Sequence, residues 1–206
     1  MTVIYLMRHS RADIDRFYVK DEDFKIQNEK YILSVEGEIL AKEYSEIEEL
    51  KDIDMVVSSN YVRSMSTAKY IAHNNHLPLY IDSLFDERKF GVSNIKEIPE
   101  DFFKHQILDK NYKIGDGESR NDVRVRMTKG LIKVMKKNKN KKAVIVSHAS
   151  SIAFLLTKWC SVDMENGKYT IKYKDKIIIN GFDAPDLLKL EFNDKNALVN
   201  ITRIEK

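Results

Sequence analysis

Only one cysteine, Cys160, occurs in the 206 residues, so no disulfide can form within the chain. A reducing compartment, the cytoplasm, is the expected setting. Cys160 lies beside Trp159 in an apolar stretch and reads as a packed side chain rather than a nucleophile. Long hydrophobic runs are missing as well. No stretch approaches the ~20 apolar residues of a membrane span, and the apolar start, Met1 to Met7, is cut off by Arg8 too soon for a signal peptide. Neither sign of charge dominates: 35 basic against 32 acidic residues leaves +3, which gives no basis for a nucleic-acid partner. There is no His-Glu-x-x-His, no cysteine cluster, no phosphate-binding Walker loop and no Gly-x-Gly-x-x-Gly. No metal and no cofactor are therefore expected. Repeats and low-complexity linkers are absent too.

What remains is an ordinary globular composition, 43% apolar and 33% charged, at a length that suits one α/β domain. Residues 3–7 and 143–146 are short continuous apolar runs, the mark of strands buried on both faces; 54–57 reads as a second buried strand and 79–81 as a further short one. Helical spacing follows over 34–50, 61–73, 119–136 and 152–159. Strands alternating with helices predict a mostly parallel sheet covered on both faces, a three-layer α/β/α sandwich. Residues 82–116 are irregular, with one amphipathic piece at 99–108, and are expected to form a small cap. There Phe90, Ile98, Phe102 and Phe103 either cover a substrate or pack the cap onto the domain. Segments 169–173, 176–179, 187–192 and 198–204 read as antiparallel strands appended to the sheet edge, with hairpin loops at 174–175 and 193–196. Exposed edge strands there would allow a homodimer. The lysine-rich run 136–142 falls between a helix end and a strand and reads as a solvated loop. His73, His76 and His105 lie in polar contexts and are expected at the surface.

Two other histidines follow buried strands directly: His9 after 3–7 and His148 after 143–147. Ligands of open α/β sheets bind beyond the carboxyl ends of strands, so both should face one crevice if their strands are neighbours. Arg8 adjoins the first histidine, and Arg63 follows another strand end, about one turn into the next helix. Arginine offers a planar fork of donors that fits phosphate oxygens and keeps its charge at neutral pH. The Ser58-Ser59-Asn60 stretch before Arg63 supplies donors at a helix N-terminus, itself favourable to anions.

These residues resemble the histidine phosphatase superfamily, the branch that includes phosphoglycerate mutases and fructose-bisphosphatase-like enzymes. Leu6-Met7-Arg8-His9-Ser10 is similar to its Arg-His-Gly signature, and Leu33-Ser34-Val35-Glu36-Gly37 to its Leu-Thr-x-x-Gly helix start. Ser59 through Arg63 to Thr67-Ala68, the segment Leu84 to Gly91, Gly117-Glu118-Ser119 and Val144 to His148 resemble four further motifs, in the family's order. The resemblance implies that His9 attacks phosphorus, that Arg8, Arg63 and His148 hold the phosphoryl oxygens, and that Glu87 gives a proton to the leaving oxygen. Ser10 would join the phosphate contacts. That chemistry is coherent, because a phosphoryl group in transfer needs positioning and positive donors, and a phosphoenzyme splits one hard step into two.

Departures from the pattern are local. Ser10 and Ala149 stand where the family has glycine, each adding a side-chain atom where backbone approaches phosphate. Arg11 stands at a position that is often acidic and Asp15 at one that is often Asn. Either Arg11 recruits a second anionic group of the substrate, together with Arg88, or Asp15 neutralises it. The expected activity is hydrolysis of a small phosphorylated metabolite. Phosphoglycerate mutation is the alternative, and a binding module that has lost catalysis is a third reading. Mutases carry extra arginines for the substrate carboxylate, whereas between Glu87 and His148 this chain has only Arg88, Arg120, Arg124 and Arg126.

Overall fold

A computed structural model of the chain describes residues 1–14 and 22–205. Six strands form the central sheet: β1 (Thr2–Arg8), β2 (Met55–Ser58), β3 (Leu79–Ile81), β4 (Lys142–Ser147), β8 (Asp186–Phe192) and β9 (Leu198–Ile204), in the order β3-β2-β4-β1-β8-β9. The first four run parallel, and β8 and β9 close one edge antiparallel. Alternation along β1 feeds two cores. Ile4 and Leu6 pack on one side with Val123, Met127 and Leu131 of α5 (Arg120–Lys137) and with α6 (Ala149–Leu156). Tyr5 and Met7 pack on the other with Tyr44 of α2 (Val35–Tyr44) and with Ala68, Ile71 and Ala72 of α3 (Val62–Asn74). Both faces are buried, which is why these strands are apolar without interruption. The result is the expected three-layer α/β/α arrangement.

The remaining C-terminal strands depart from the expectation. β5 (Ser161–Glu165), β6 (Lys168–Tyr173) and β7 (Lys176–Asn180) form a separate three-stranded antiparallel sheet, and only β8 and β9 join the edge of the central one. The small sheet buries Tyr169, Ile171, Tyr173 and Ile179 against the α5–α6 side of the core. β5 went unread because its side chains alternate between partly buried and exposed, with Asp163 and Glu165 on the open face. Lys174-Asp175 does turn a hairpin, both residues at positive φ, and so does Asn166-Gly167.

Two helical features also differ. α1 (Phe24–Lys30), capped by Asp23, buries only Phe24 and Gln27, too short a stripe to show periodicity. α6 begins at Ala149 rather than 152, because Ala149, Ser150 and Ser151 are small residues without an apolar pattern. The segment 82–116 contains 3-10 turns at Ser83–Phe85 and Ile95–Glu97 and the helix α4 (Phe102–Leu108). Among the described residues no helix is long and apolar enough to cross a membrane. His73, His76 and His105 are exposed, as expected.

Candidate active site

Three adjacent parallel strands end side by side. The amide of His9, just past β1, donates to Ser147 O at 3.0 Å, and that of Ser59, just past β2, donates to Val146 O at 3.0 Å. His148 follows β4 and is the N-cap of α6. Strand order thus brings His9, His148 and Ser59 to one crevice at the carboxyl end of the sheet, as the strand-end argument required. The two imidazoles meet edge to face with centroids 5.0 Å apart.

The hydrogen bonds fix the tautomer of His9. Nδ1 of His9 lies 2.7 Å from the carbonyl of Ser10, so it carries the proton, and Nε2 keeps its lone pair. That lone pair accepts from Nε of Arg63 at 3.0 Å. Burial, then the charges of Arg63 and Arg8, hold His9 well below the ordinary imidazole value, so the ring is neutral at physiological pH. His148 is fully buried and lowered likewise, first by burial and then by Arg63. Its Nε2 sits 2.8 Å from Ser59 Oγ and 3.3 Å from Ser64 Oγ. Ser59 Oγ also accepts from the Tyr61 amide at 3.3 Å, and its own hydroxyl proton is free to donate to Nε2, the arrangement that puts the proton of His148 on Nδ1.

The arginines are anchored differently. Arg63, in the first turn of α3, donates through Nη1 to the carbonyl of Asn28 and through Nη2 to Asn28 Oδ1 at 3.2 Å, and its guanidinium lies over the Tyr61 ring. Arg8 donates through Nη1 to the carbonyls of Phe182 and Asp183, at 2.9 and 3.2 Å. Among the described residues, three buried polar atoms of this group have no hydrogen-bond partner: Arg8 Nε, Ser10 Oγ and His148 Nδ1. A buried donor left unpaired costs about 1–3 kcal/mol, and a cluster of them about one imidazole is the signature of a site shaped for an anion.

Glu87 is partly buried. Its Oε1 accepts from the Arg88 amide at 2.9 Å and from Ser151 Oγ at 3.1 Å, while Oε2 has no partner among the described residues. Its charge reaches Arg8 and Arg63, raising both against the lowering effect of burial. Arg11 is exposed and ion-paired with Glu36. Asp15 lies outside the described residues. Arg88 is only 2% exposed; it donates to Gln106 Oε1 at 2.8 Å and is stacked among Phe90, Phe102, Phe103 and Phe154. The cap aromatics thus pack around a buried cation. Arg88 and Phe90 still border a cleft of about 210 Å³, lined also by Asn28 and Tyr61, by Lys25 and Lys89, and by the carboxylates Asp23 and Asp116.

Sequence reasoning overlooked Asn28, Ser64, Tyr61 and Ser151. It also assigned the Ser58-Ser59-Asn60 donors to an anion, whereas here they serve the protein. Ser58 Oγ donates to the Ser59 carbonyl, Ser59 holds His148, and the Asn60 amide donates to Asp86 Oδ1 at 2.8 Å. Two of the motifs have a structural explanation. A Cβ at Gly37 would collide with the Arg11 carbonyl, so the glycine lets α2 sit against the segment leaving His9. Glu118 pairs with Arg126 at 2.7 Å, and Ser119 and Asp122 form the capping box of α5.

A three-layer fold with paired neutral histidines and two arginines at its sheet end defines a phosphoryl-handling class of protein. The family model described as histidine phosphatase superfamily (branch 1) matches residues 4–184. An uncharacterized phosphatase, PhoE, of Bacillus subtilis (strain 168) is 30% identical over 166 residues, covering 80% of this chain and 81% of that protein. The chain therefore belongs to the histidine phosphatase superfamily, branch 1, and phosphatase activity is what this membership supports. Among solved structures, a mycobacterial glucosyl-3-phosphoglycerate phosphatase in complex with VO3 superposes with a TM-score of 0.72 at 17% identity, covering 98% of this chain and 96% of that one. A phosphoserine phosphatase mutant from Entamoeba histolytica, in complex with phosphoserine, does so at 0.66 and 20% identity, covering 98% and 97%. At those identities the likeness is one of fold.

Proposed function

We propose that the protein hydrolyses phosphate monoesters of small metabolites through a phosphohistidine formed on His9, without a metal. The observation that carries this reading is the set of unpartnered buried atoms, Arg8 Nε, Ser10 Oγ and His148 Nδ1, gathered around a neutral His9. Phosphoryl oxygens would supply the missing partners, and cationic donors are where the charge of the transferring group calls for them.

In this reading Arg63 Nε, which occupies the Nε2 lone pair at rest, turns to a phosphoryl oxygen when substrate arrives. The freed lone pair attacks phosphorus in line with the ester oxygen. The Nε2–P bond forms as the P–O bond breaks, and Glu87, through Oε2, gives its proton to the departing alkoxide. Nδ1–H, held by the Ser10 carbonyl, steadies the positive charge the ring acquires. A water then loses its proton to the Glu87 carboxylate and attacks phosphorus. The N–P bond breaks, and phosphate leaves with His9 restored.

Hydrolysis is favoured over phosphoglycerate mutation by the fate of the four arginines between Glu87 and His148. Arg126 is tied to Glu118 and to the carbonyls of Leu84 and Glu87. Arg120 and Arg124 border a separate cavity, and Arg88 is enclosed by rings. The cleft of about 210 Å³ meets the site through Asn28, which holds Arg63, and in this reading it takes the leaving group of a small ester, the kind of compound for which the mycobacterial and Entamoeba proteins are named.

The test is phosphate release from p-nitrophenyl phosphate and a panel of phosphorylated metabolites in EDTA, with and without vanadate, for wild type and His9→Ala. EDTA-resistant, vanadate-sensitive release that disappears in His9→Ala is the expected result. Activity that needs added metal, or that survives in His9→Ala, would overturn the proposal.

A further inference from the structure

A second cavity, about 330 Å³, lies where the N-terminal turn of α5 faces the end of α6 and the start of β5. It shares no lining residue with the cleft bordered by Asn28, Tyr61 and Arg88. Arg120 and Arg124, one helical turn apart, border it together with Lys110, and Asn121, Thr157 and Ser161 add polar walls; among the described residues no acidic one lines it. The balance of charge there is unusual for a chain this even in composition. Among the described residues Arg120 and Lys110 make no side-chain hydrogen bond and no ion pair, and Arg124 donates only to Asn121 Oδ1, at 2.8 Å.

Partners that would explain the cluster internally are engaged elsewhere. Asp109, the one carboxylate whose charge is felt at Arg120, accepts from the Asn111 amide. The carbonyls at the end of α6, where cations are favourable, already accept from neighbours: Phe154 O from Thr157 Oγ1, Leu155 O from the Lys158 amide, and Leu156 O from the Trp159 and Cys160 amides. Burial and the nearby charge of Arg124 pull Arg120 below its ordinary value. Two like charges at this spacing on one helix face repel, and among the described residues only the charge of Asp109 acts against them. An anion with several oxygens would offset them.

We propose that the cavity bordered by Lys110, Arg120 and Arg124 is a second anion site, taking a tetrahedral dianion of the phosphate class, either free or as a monoester. Guanidinium forks match such oxygens bidentately. The cavity adjoins the turn that carries Glu118 and Ser119, since the Asn121 amide donates to the Lys110 carbonyl at 2.9 Å and Gln106 links Arg88 to the Glu118 carbonyl.

The test is a titration of the ¹⁵N-labelled full chain with inorganic phosphate, followed by amide shifts, and repeated with glycerol phosphate to compare free anion with ester. Two groups of amides should move in wild type: one around Ser10 and Ala149, the other around Asn121, Arg124 and Ser161. In Arg63→Ala the second group should still respond. In the Arg120→Ala/Arg124→Ala double variant the second group should bind about tenfold or more weakly, while the first group and kcat/KM stay as in wild type. Lys110→Gln, which leaves α5 untouched, should weaken the second group in the same direction. The proposal is overturned if the second group stays still in wild type. It is overturned equally if that group shifts alike in the double variant, or stops responding in Arg63→Ala.

Discussion

Ser59→Ala offers a sharp probe of how the second histidine works. The hydroxyl of Ser59 sits 2.8 Å from Nε2 of His148, inside a fully buried pocket. Its loss leaves Nε2 to Ser64, whose oxygen lies 3.3 Å away, beyond the optimal range. A net hydrogen bond contributes about 0.5–1.5 kcal/mol, and an unsatisfied buried group costs about 1–3. With Ser64 offsetting part of the loss, the preference for the Nδ1–H tautomer should fall by about 1–2 kcal/mol. Where that shift makes the other tautomer the favoured one, kcat/KM drops by up to about 5- to 30-fold. The assay pairs steady-state hydrolysis of p-nitrophenyl phosphate with ¹⁵N shifts of the His148 ring, which report the tautomer directly. Ser64→Ala alone should have the smaller effect, and the double variant should exceed the sum of the two, because each serine partly covers for the other. A folded Ser59→Ala protein with wild-type kcat/KM and an unchanged ring spectrum would refute the reasoning.

Further expectations concern charge. The Asp86 carboxyl is pushed up to about 6, chiefly by burial. Its contribution to stability is thus complete below the ordinary value near 3.8 and is lost as pH rises through about 6. Asp86→Asn, which cannot ionise, should therefore be more stable than wild type at neutral pH by about 1–2 kcal/mol after solvent screening. Denaturation midpoints should converge toward about pH 4. His9 and His148 are depressed below 6.5, so the unfolded chain binds their protons first. Stability should decline as pH falls below that value, while kcat/KM should show no protonation limb from His9 near it. Arg203 pairs with Asp186 at 2.8 Å and with Asp183 at 2.5 Å, steadying the turn whose carbonyls hold Arg8. Arg203→Ala should lower stability by about 1–3 kcal/mol and raise KM more than it lowers kcat.

The sequence made the parallel half of the fold legible because buried strands must be apolar throughout: β1, β2 and β4 stand out from their surroundings for that physical reason. The histidine and arginine positions followed from strand ends and helix starts. What stayed hidden was set by tertiary contacts. Arg88 reads from the sequence as a contact for a second anionic group of the substrate, whereas α4 and α6 bring Phe102, Phe103 and Phe154 around it. Asn28 is far from Arg63 in sequence, and only the packing of α1 near α3 joins them. The separate sheet was partly readable, since Asn166-Gly167 is a strong hairpin signal, but β5 before it carries no continuous apolar run.

The central claim is that phosphorus passes through Nε2 of His9. Rapid acid-free quenching of the enzyme with ³²P-labelled substrate, followed by peptide mapping, tests it most directly. The account predicts a burst of base-stable, acid-labile label on His9 that forms before product phosphate accumulates and is absent in His9→Ala. Turnover at full rate with no label on His9, or with label on another side chain, would contradict it.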